Sequence, residues 1–62
     1  MTIGEKIALL RTAKGISQED LANIIGVSRQ TISKWEMNQA QPSIDKLIQV
    51  CSYFQISTDT FY

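Results

Sequence analysis

The sequence contains no histidine, one cysteine, one proline and three glycines. A single cysteine excludes an intrachain disulfide, so a chain of 62 residues depends on helix packing for its stability. A glycine-rich phosphate loop, a metal-ligand spacing and a nucleophile beside a base are also missing, so the usual signs of an active site are absent. We predict a protein that is not an enzyme and that binds no metal and no cofactor.

Long apolar runs are missing as well. The apolar stretch near the start covers only Ile7 to Leu10, whereas a membrane helix needs about 20 apolar residues and a signal peptide a longer apolar centre. The lone Cys51 suits a reducing compartment. We therefore expect a cytoplasmic protein without a membrane partner, and one too small to enclose a pocket for a small-molecule ligand.

Charge of one sign is not in excess, because six basic and six acidic residues give zero net charge and a pI of about 6.1. Nucleic-acid-binding domains usually carry a basic excess, so the net charge counts against such a partner. The local distribution is different. Arg29 and Lys34 fall on one side of a predicted helix, and the one acidic residue of that helix, Glu36, falls at the edge of its buried face. One surface is therefore basic although the chain is neutral.

Hydroxyl side chains precede each apolar run of helical period, which predicts five short helices in one domain spanning residues 1–62. The last helix is expected to hold Phe61. The predicted N-caps are Thr2 (in a capping box with Glu5), Ser17, Ser28, Ser43 and Ser57. The predicted buried residues, helix by helix, are Ile3, Ile7 and Leu10; Leu21, Ala22 and Ile25; Ile32 and Trp35; and Ile44, Leu47, Ile48, Cys51 and Phe54.

Helices two and three are separated by a very short connection. Gly15 and Gly26 are expected to end the first two helices in the left-handed conformation, and Asn38 to close the third. Only Gly26 and Val27 lie between Ile25 and the cap Ser28, so the two helices must meet at a sharp angle. The predicted fold is all-α, a compact five-helix bundle containing a helix-turn-helix.

The third helix has two distinct faces. At about 100° per residue, Gln30, Ser33, Met37 and Lys34 fall within roughly 140° of Arg29 on one side. Ile32 and Trp35 fall on the opposite side, which is expected to be buried. The exposed side therefore carries polar groups, with Met37 as a peripheral contact.

Residues 16–37, ISQEDLANIIGVSRQTISKWEM, resemble the helix-turn-helix of phage-repressor and Cro-type DNA-binding regulators, the XRE family with a lambda-repressor-like fold. The matching positions are Gln18, Leu21, Ala22, Gly26, Val27, Ile32 and the pair Trp35 and Glu36. The resemblance extends over nearly the whole chain. It implies sequence-specific binding of double-stranded DNA by a transcriptional regulator, with a repressor favoured, and with the helix of residues 28–37 in the major groove.

The expected base contacts follow from side-chain chemistry on this helix. Glutamine pairs with the N6/N7 edge of adenine, arginine or lysine with the O6/N7 edge of guanine, and the N-terminal turn of the helix lies deepest in the groove. The expected base contacts are Arg29, Gln30, Ser33 and Lys34. The expected phosphate contacts are Gln18, Ser28, Thr31, Asn38, Gln39 and Ser43.

Structural roles are expected for the remaining matched positions. Ala22 and Gly26 are expected to shape the turn, and Ile32 and Trp35 to anchor the third helix. The family resemblance also implies an ion pair between Arg11 and Glu36 beneath that helix, which would fix its angle.

Because only two cations face the proposed DNA surface, one copy should bind weakly, and a homodimer on a palindromic operator is expected. The alternative is a helix-turn-helix fold reused as a protein-interaction or dimerisation module without specific DNA binding. The sequence ends on the apolar pair Phe61 and Tyr62, one turn into its last predicted helix. This ending suggests either a dimer contact or, as we expect, the N-terminal fragment of a longer regulator.

Overall fold

The computed structural model describes residues 1–60, which form four α-helices and one short 3-10 helix. The α-helices are α1 (Ile3–Lys14), α2 (Gln18–Ile25), α3 (Arg29–Glu36) and α4 (Ile44–Phe54). The predicted all-α fold with a helix-turn-helix is confirmed. Over the described residues, no helix is long enough to cross a bilayer, since the longest, α1, has 12 residues.

The prediction of a fifth α-helix was wrong. After Ser57, residues Thr58–Thr60 form a single 3-10 turn rather than an α-helix. One turn is below the length at which an α-helix sustains itself, and short pieces of this kind commonly adopt the tighter 3-10 geometry. The placement of Phe61 on this element lies outside the described residues.

The four predicted caps of the α-helices are confirmed. Thr2 and Ser17 each accept a hydrogen bond from the backbone N–H three residues on, and the acidic side chains at those positions, Glu5 and Asp20, accept one in return. The hydrogen bonds from the backbone N–H and hydroxyl of Thr2 lower the pKa of Glu5 below its ordinary value. Ser28 and Ser43 cap α3 and α4 in the same way, without the reciprocal bond. Local sequence therefore sets where each α-helix begins.

The helix ends use the left-handed conformation at the expected residues. Gly15 and Gly26 have φ angles of 76° and 85°, and Asn38 has a φ of 60° just beyond α3. Gln55 closes α4 at a φ of 58°, and its N–H donates to the carbonyls of Cys51 and Ser52. A residue other than glycine thus completes the cap of α4.

One hydrophobic core lies between the four α-helices. Ile7 comes from α1, and Ile32 and Trp35 come from α3; Trp35 is only 4% exposed, as expected of a core residue. Burial also raises the pKa of the Cys51 thiol, which fits its packing as a small core side chain. The other buried hydrophobic residues are Leu21, Ala22, Ile25, Leu47 and Val50.

The predicted buried face of α4 was wrong in part. Ile44 and Ile48 are 62% and 50% exposed, whereas Val50, which was not predicted, is fully buried. Two apolar stripes are possible on this helix, and both contain Leu47 and Cys51. One stripe adds Ile44 and Ile48 and the other adds Val50, so periodicity alone does not determine which side of the helix is buried. In the fold, the stripe that contains Val50 faces the core.

Candidate nucleic-acid interface

The turn between α2 and α3 is built around the carbonyl of Ala22. The backbone N–H groups of Gly26 and Val27 both donate to this carbonyl, at 2.8 and 2.9 Å. Gly26 takes the left-handed conformation that such a turn requires and that glycine adopts without steric cost. Ala22 is 2% exposed beside the turn, so its small side chain leaves room for the following helix.

Helix α3 has the two faces that the sequence predicts. Ile32 is fully buried and Trp35 nearly so, while Arg29, Gln30 and Lys34 are exposed. At the start of the helix, the Ser28 hydroxyl accepts from the N–H of Thr31 at 3.1 Å and lies 2.9 Å from the Thr31 hydroxyl. The buried face therefore fixes the helix in the fold and leaves the polar face open.

The exposed side of α3 forms part of an open depression. All four predicted base contacts lie along it, together with one predicted phosphate contact and one apolar residue. The lining residues are Arg29, Gln30, Ser33, Lys34, Met37 and Gln39. The structure thus brings the predicted base contacts together on one surface, which we call the α3 groove.

An ion pair beneath α3 joins it to α1. The Nε and Nη2 atoms of Arg11 donate to Oε2 and Oε1 of Glu36, at 2.6 and 3.2 Å. The Nη1 atom of Arg11 donates to the carbonyl of Ile16 at 2.9 Å. The side chain of Glu36 is 8% exposed and that of Arg11 16%. The structure therefore contains the bidentate pair that the family resemblance implies, with the arginine tied to two parts of the chain.

Gln18 joins the same network, a contact that sequence reasoning did not find. Its Nε2 donates to Oε1 of Glu36 at 2.9 Å, so this oxygen accepts from both Arg11 and Gln18. The amide of Gln18 has a second hydrogen on Nε2, and the prediction that it contacts a phosphate is untested. Nothing in the spacing of residues 18 and 36 indicates that they meet, because their contact depends on how α2 and α3 cross.

Most of the other predicted phosphate contacts do not line the α3 groove. Ser43 caps α4, accepting from the N–H of Lys46 at 3.3 Å. Asn38 lies in a second depression beside the start of α1, lined also by Met1, Thr2, Ile3, Gly4, Ala40 and Gln41. Only Gln39 among the six shares the α3 groove with the predicted base contacts.

Gly4 is a positioning residue that the sequence analysis missed. A Cβ atom built on it would lie 2.1 Å from the carbonyl oxygen of Trp35 and 2.7 Å from Oδ1 of Asn38. Because no real side chain tolerates such distances, α1 can approach the end of α3 this closely only with glycine there. The one signal in the sequence is a glycine inside a helix, where it costs stability without a packing reason.

Several basic side chains are engaged within the fold. Arg11 pairs with Glu36, the ammonium of Lys14 lies 5.0 Å from the ring centre of Tyr53, and Nζ of Lys46 donates to the carbonyl of Ile25 at 3.4 Å. Arg29 and Lys34 instead line the α3 groove. Among residues 1–60, no cluster of histidine, cysteine, aspartate or glutamate side chains could hold a metal ion. The groove therefore offers cations and amides rather than metal ligands.

A sequence model of the family described as Helix-turn-helix matches residues 7–61. The chain belongs to the helix-turn-helix family. The HTH-type transcriptional activator BcrR of Enterococcus faecalis is 39% identical to this helix-turn-helix chain over 59 residues, or 95% of it. The SPbeta prophage-derived HTH-type transcriptional regulator YonR of Bacillus subtilis is 36% identical over 56 residues, or 90% of it. The chain spans 29% of the length of BcrR and 52% of that of YonR.

A solved structure supports the same assignment. The P22 c2 repressor protein in complex with a synthetic operator superposes with a TM-score of 0.92 at 31% identity, covering 98% of this chain and 92% of that one. The family resemblance inferred from residues 16–37 is thereby confirmed. The relatives of this helix-turn-helix domain are transcriptional regulators, and at least one of its structural neighbours is a repressor bound to operator DNA.

Proposed function

We propose that this helix-turn-helix domain binds double-stranded DNA sequence-specifically, as the DNA-binding part of a cytoplasmic transcriptional regulator, with α3 in the major groove. The observation that carries the proposal is the α3 groove. It places the four predicted base contacts along the open side of a helix whose other side, at Ile32 and Trp35, is locked into the core. The similarity to an operator-bound repressor supports the same docking.

Within the groove, each side chain has a chemically defined partner. Arg29 and Gln30 occupy the first turn of α3, where they can reach the edges of guanine and adenine respectively. Ser33 allows close approach of the helix, and Lys34 reaches a base or a phosphate. The residues proposed to contact phosphates are Gln18, Ser28, Thr31, Asn38, Gln39 and Ser43. No catalysis and no cofactor enter this proposal.

We further propose that two copies bind a palindromic operator as a homodimer, with their α3 helices about 34 Å apart, one turn of DNA. The support is energetic, because two cations in each groove give one copy little electrostatic affinity. The effect on transcription depends on where the operator lies relative to the promoter. We propose repression, as the P22 c2 repressor is named, whereas BcrR is named an activator. A rise in transcription when the regulator binds its operator would contradict that part.

Selection from a pool of random duplexes tests the function directly. We expect the purified domain to enrich a palindrome whose half-sites are centred about 10 base pairs apart. No enrichment at low salt would contradict DNA recognition, and would favour the alternative in which the fold serves as a protein-interaction or dimerisation module.

Gln30→Ala tests base recognition within the selected operator. We expect the variant to lose about 1–3 kcal/mol of binding free energy and to accept other base pairs at one position of each half-site, because a bidentate contact to adenine is removed. Electrophoretic mobility shifts with single-base operator variants measure both effects. Gln49→Ala, at an exposed glutamine of α4, is the matched control. An equal loss on every DNA sequence would contradict the base contact.

A further inference from the structure

Met37 is an apolar side chain in an otherwise polar groove. Among the six residues that line the α3 groove it is the one without a polar hydrogen-bonding group, and it is 57% exposed. Its backbone N–H donates to the carbonyl of Ser33 at 3.0 Å, so its position continues the last turn of α3. This hydrogen bond fixes the backbone of Met37 at the end of α3, beside the groove.

The helical geometry places Met37 within the proposed DNA-facing stripe. At about 100° per residue it lies roughly 80° from Arg29, between Ser33 and Lys34. At about 1.5 Å per residue it lies roughly 12 Å further along the helix axis than Arg29. A helix that places Arg29 and Gln30 against base edges therefore also places Met37 in the major groove of the DNA.

The chemistry of the major groove offers a thioether one specific apolar partner on the base edges. Guanine, cytosine and adenine present hydrogen-bonding groups there, whereas thymine also presents its C5-methyl group. An unbranched, polarizable methionine side chain adapts readily to such a contact. We propose that Met37 packs against the methyl group of a thymine and specifies thymine at one position of each half-site. The proposal rests on the proposed function and replaces the peripheral role expected from the sequence.

Replacing thymine with deoxyuridine tests the proposal, because the exchange removes the methyl group and leaves base pairing unchanged. Starting from the selected operator, each thymine of a half-site is exchanged in turn, symmetrically in both halves, and the dissociation constant is measured by fluorescence anisotropy. We expect one exchange to weaken binding of the wild-type protein about three- to fivefold for each bound copy, the effect of burying one methyl group. With Met37→Ala, the same exchange should have no effect.

Two control variants separate this contact from general damage. Leu9→Ala removes an apolar side chain of similar exposure, 56%, from α1 outside the groove, and should keep the full deoxyuridine penalty. Met37→Leu keeps an apolar side chain and should retain a penalty. Circular dichroism checks that each variant is folded, as expected for substitutions at exposed positions.

The outcomes distinguish the proposal from the function on which it depends. If an operator is selected but no thymine shows a penalty that Met37→Ala abolishes, the methyl contact is overturned while DNA recognition stands. An operator whose half-site contains no thymine overturns it equally. If the pool yields no operator, the proposed function fails and the methyl contact fails with it.

Discussion

At the scale of single residues, the carboxylate of Glu36, at the end of α3, accepts three hydrogen bonds. It accepts from Nε and Nη2 of Arg11 and from Nε2 of Gln18, and its side chain is 8% exposed. A carboxylate so far removed from water is stable only while those donors are present. The network therefore ties α1, α2 and α3 together at one point.

Arg11→Ala should destabilise the fold by about 3 kcal/mol, the lower end of the range for breaking a buried ion pair, because the arginine is partly exposed. Urea denaturation followed by tryptophan fluorescence measures the loss. The matched control is Arg29→Ala, which removes an exposed arginine and should leave the free energy of unfolding within about 0.5 kcal/mol. If Arg11→Ala unfolds the protein, Arg11→Lys keeps the charge without the fork and should give an intermediate loss. Equal stability of the two alanine variants would contradict the structural role.

Sequence reasoning reached these residues unevenly. The ion pair of Arg11 and Glu36 was inferred from the family resemblance, since 25 positions separate its members. The contact of Gln18 with Glu36 and the close approach at Gly4 were missed, because both depend on the distance between two helices. The only local sign was the glycine at position 4 inside a helix. The polar face of α3 was found directly, because it follows from helical period alone.

At the scale of the elements, helix starts were predictable and helix rotations less so. A cap such as Ser17 acts on an N–H three residues away, so the whole interaction lies within a few letters of sequence. The rotation of α4 depends on the helices it packs against. Its apolar residues exceed what one stripe can hold, and Ile44 and Ile48 remain exposed as a result.

Paired substitutions in α4 test its orientation. Val50→Ala should lower the free energy of unfolding by about 2 kcal/mol, because it removes two methyl groups from a fully buried position and leaves a cavity. Ile48→Ala, at a position 50% exposed, should change it by less than about 1 kcal/mol. Thermal unfolding of both variants measures the difference. A larger loss for Ile48→Ala would show that α4 buries the face originally predicted.

At the scale of the whole molecule, neutrality conceals an uneven distribution of charge. Arg11, Lys14 and Lys46 contact other groups of the protein, whereas Arg29 and Lys34 line the α3 groove. Glu19 and Asp20 are exposed at the start of α2 and oppose an anionic partner. Composition gives only the sum of these charges. Their distribution over the surface could be inferred only from the helical period and from the fold.

The affinity of the domain for DNA should consequently depend only weakly on salt. Each neutralised phosphate contributes about −0.9 to the slope of log affinity against log salt concentration. Two cations therefore give a slope no steeper than about −2 for each bound copy. Titrations of the selected operator between low and physiological salt measure this slope. Lys34→Gln should make it shallower if Lys34 contacts a phosphate, and Lys14→Gln, outside the groove, should not. A slope near that of a strongly basic domain would contradict the proposed surface.

The close contact between α1 and the end of α3 has a consequence for how the protein can be divided. Gly4 abuts the carbonyl of Trp35, and Arg11 grips the neighbouring Glu36. An excised peptide of residues 16–37 would contain every residue proposed to contact a base. It would lack the contacts with α1 that set the orientation of α3. Swapping such a segment between relatives would therefore transplant specificity only when the recipient's first helix fits it.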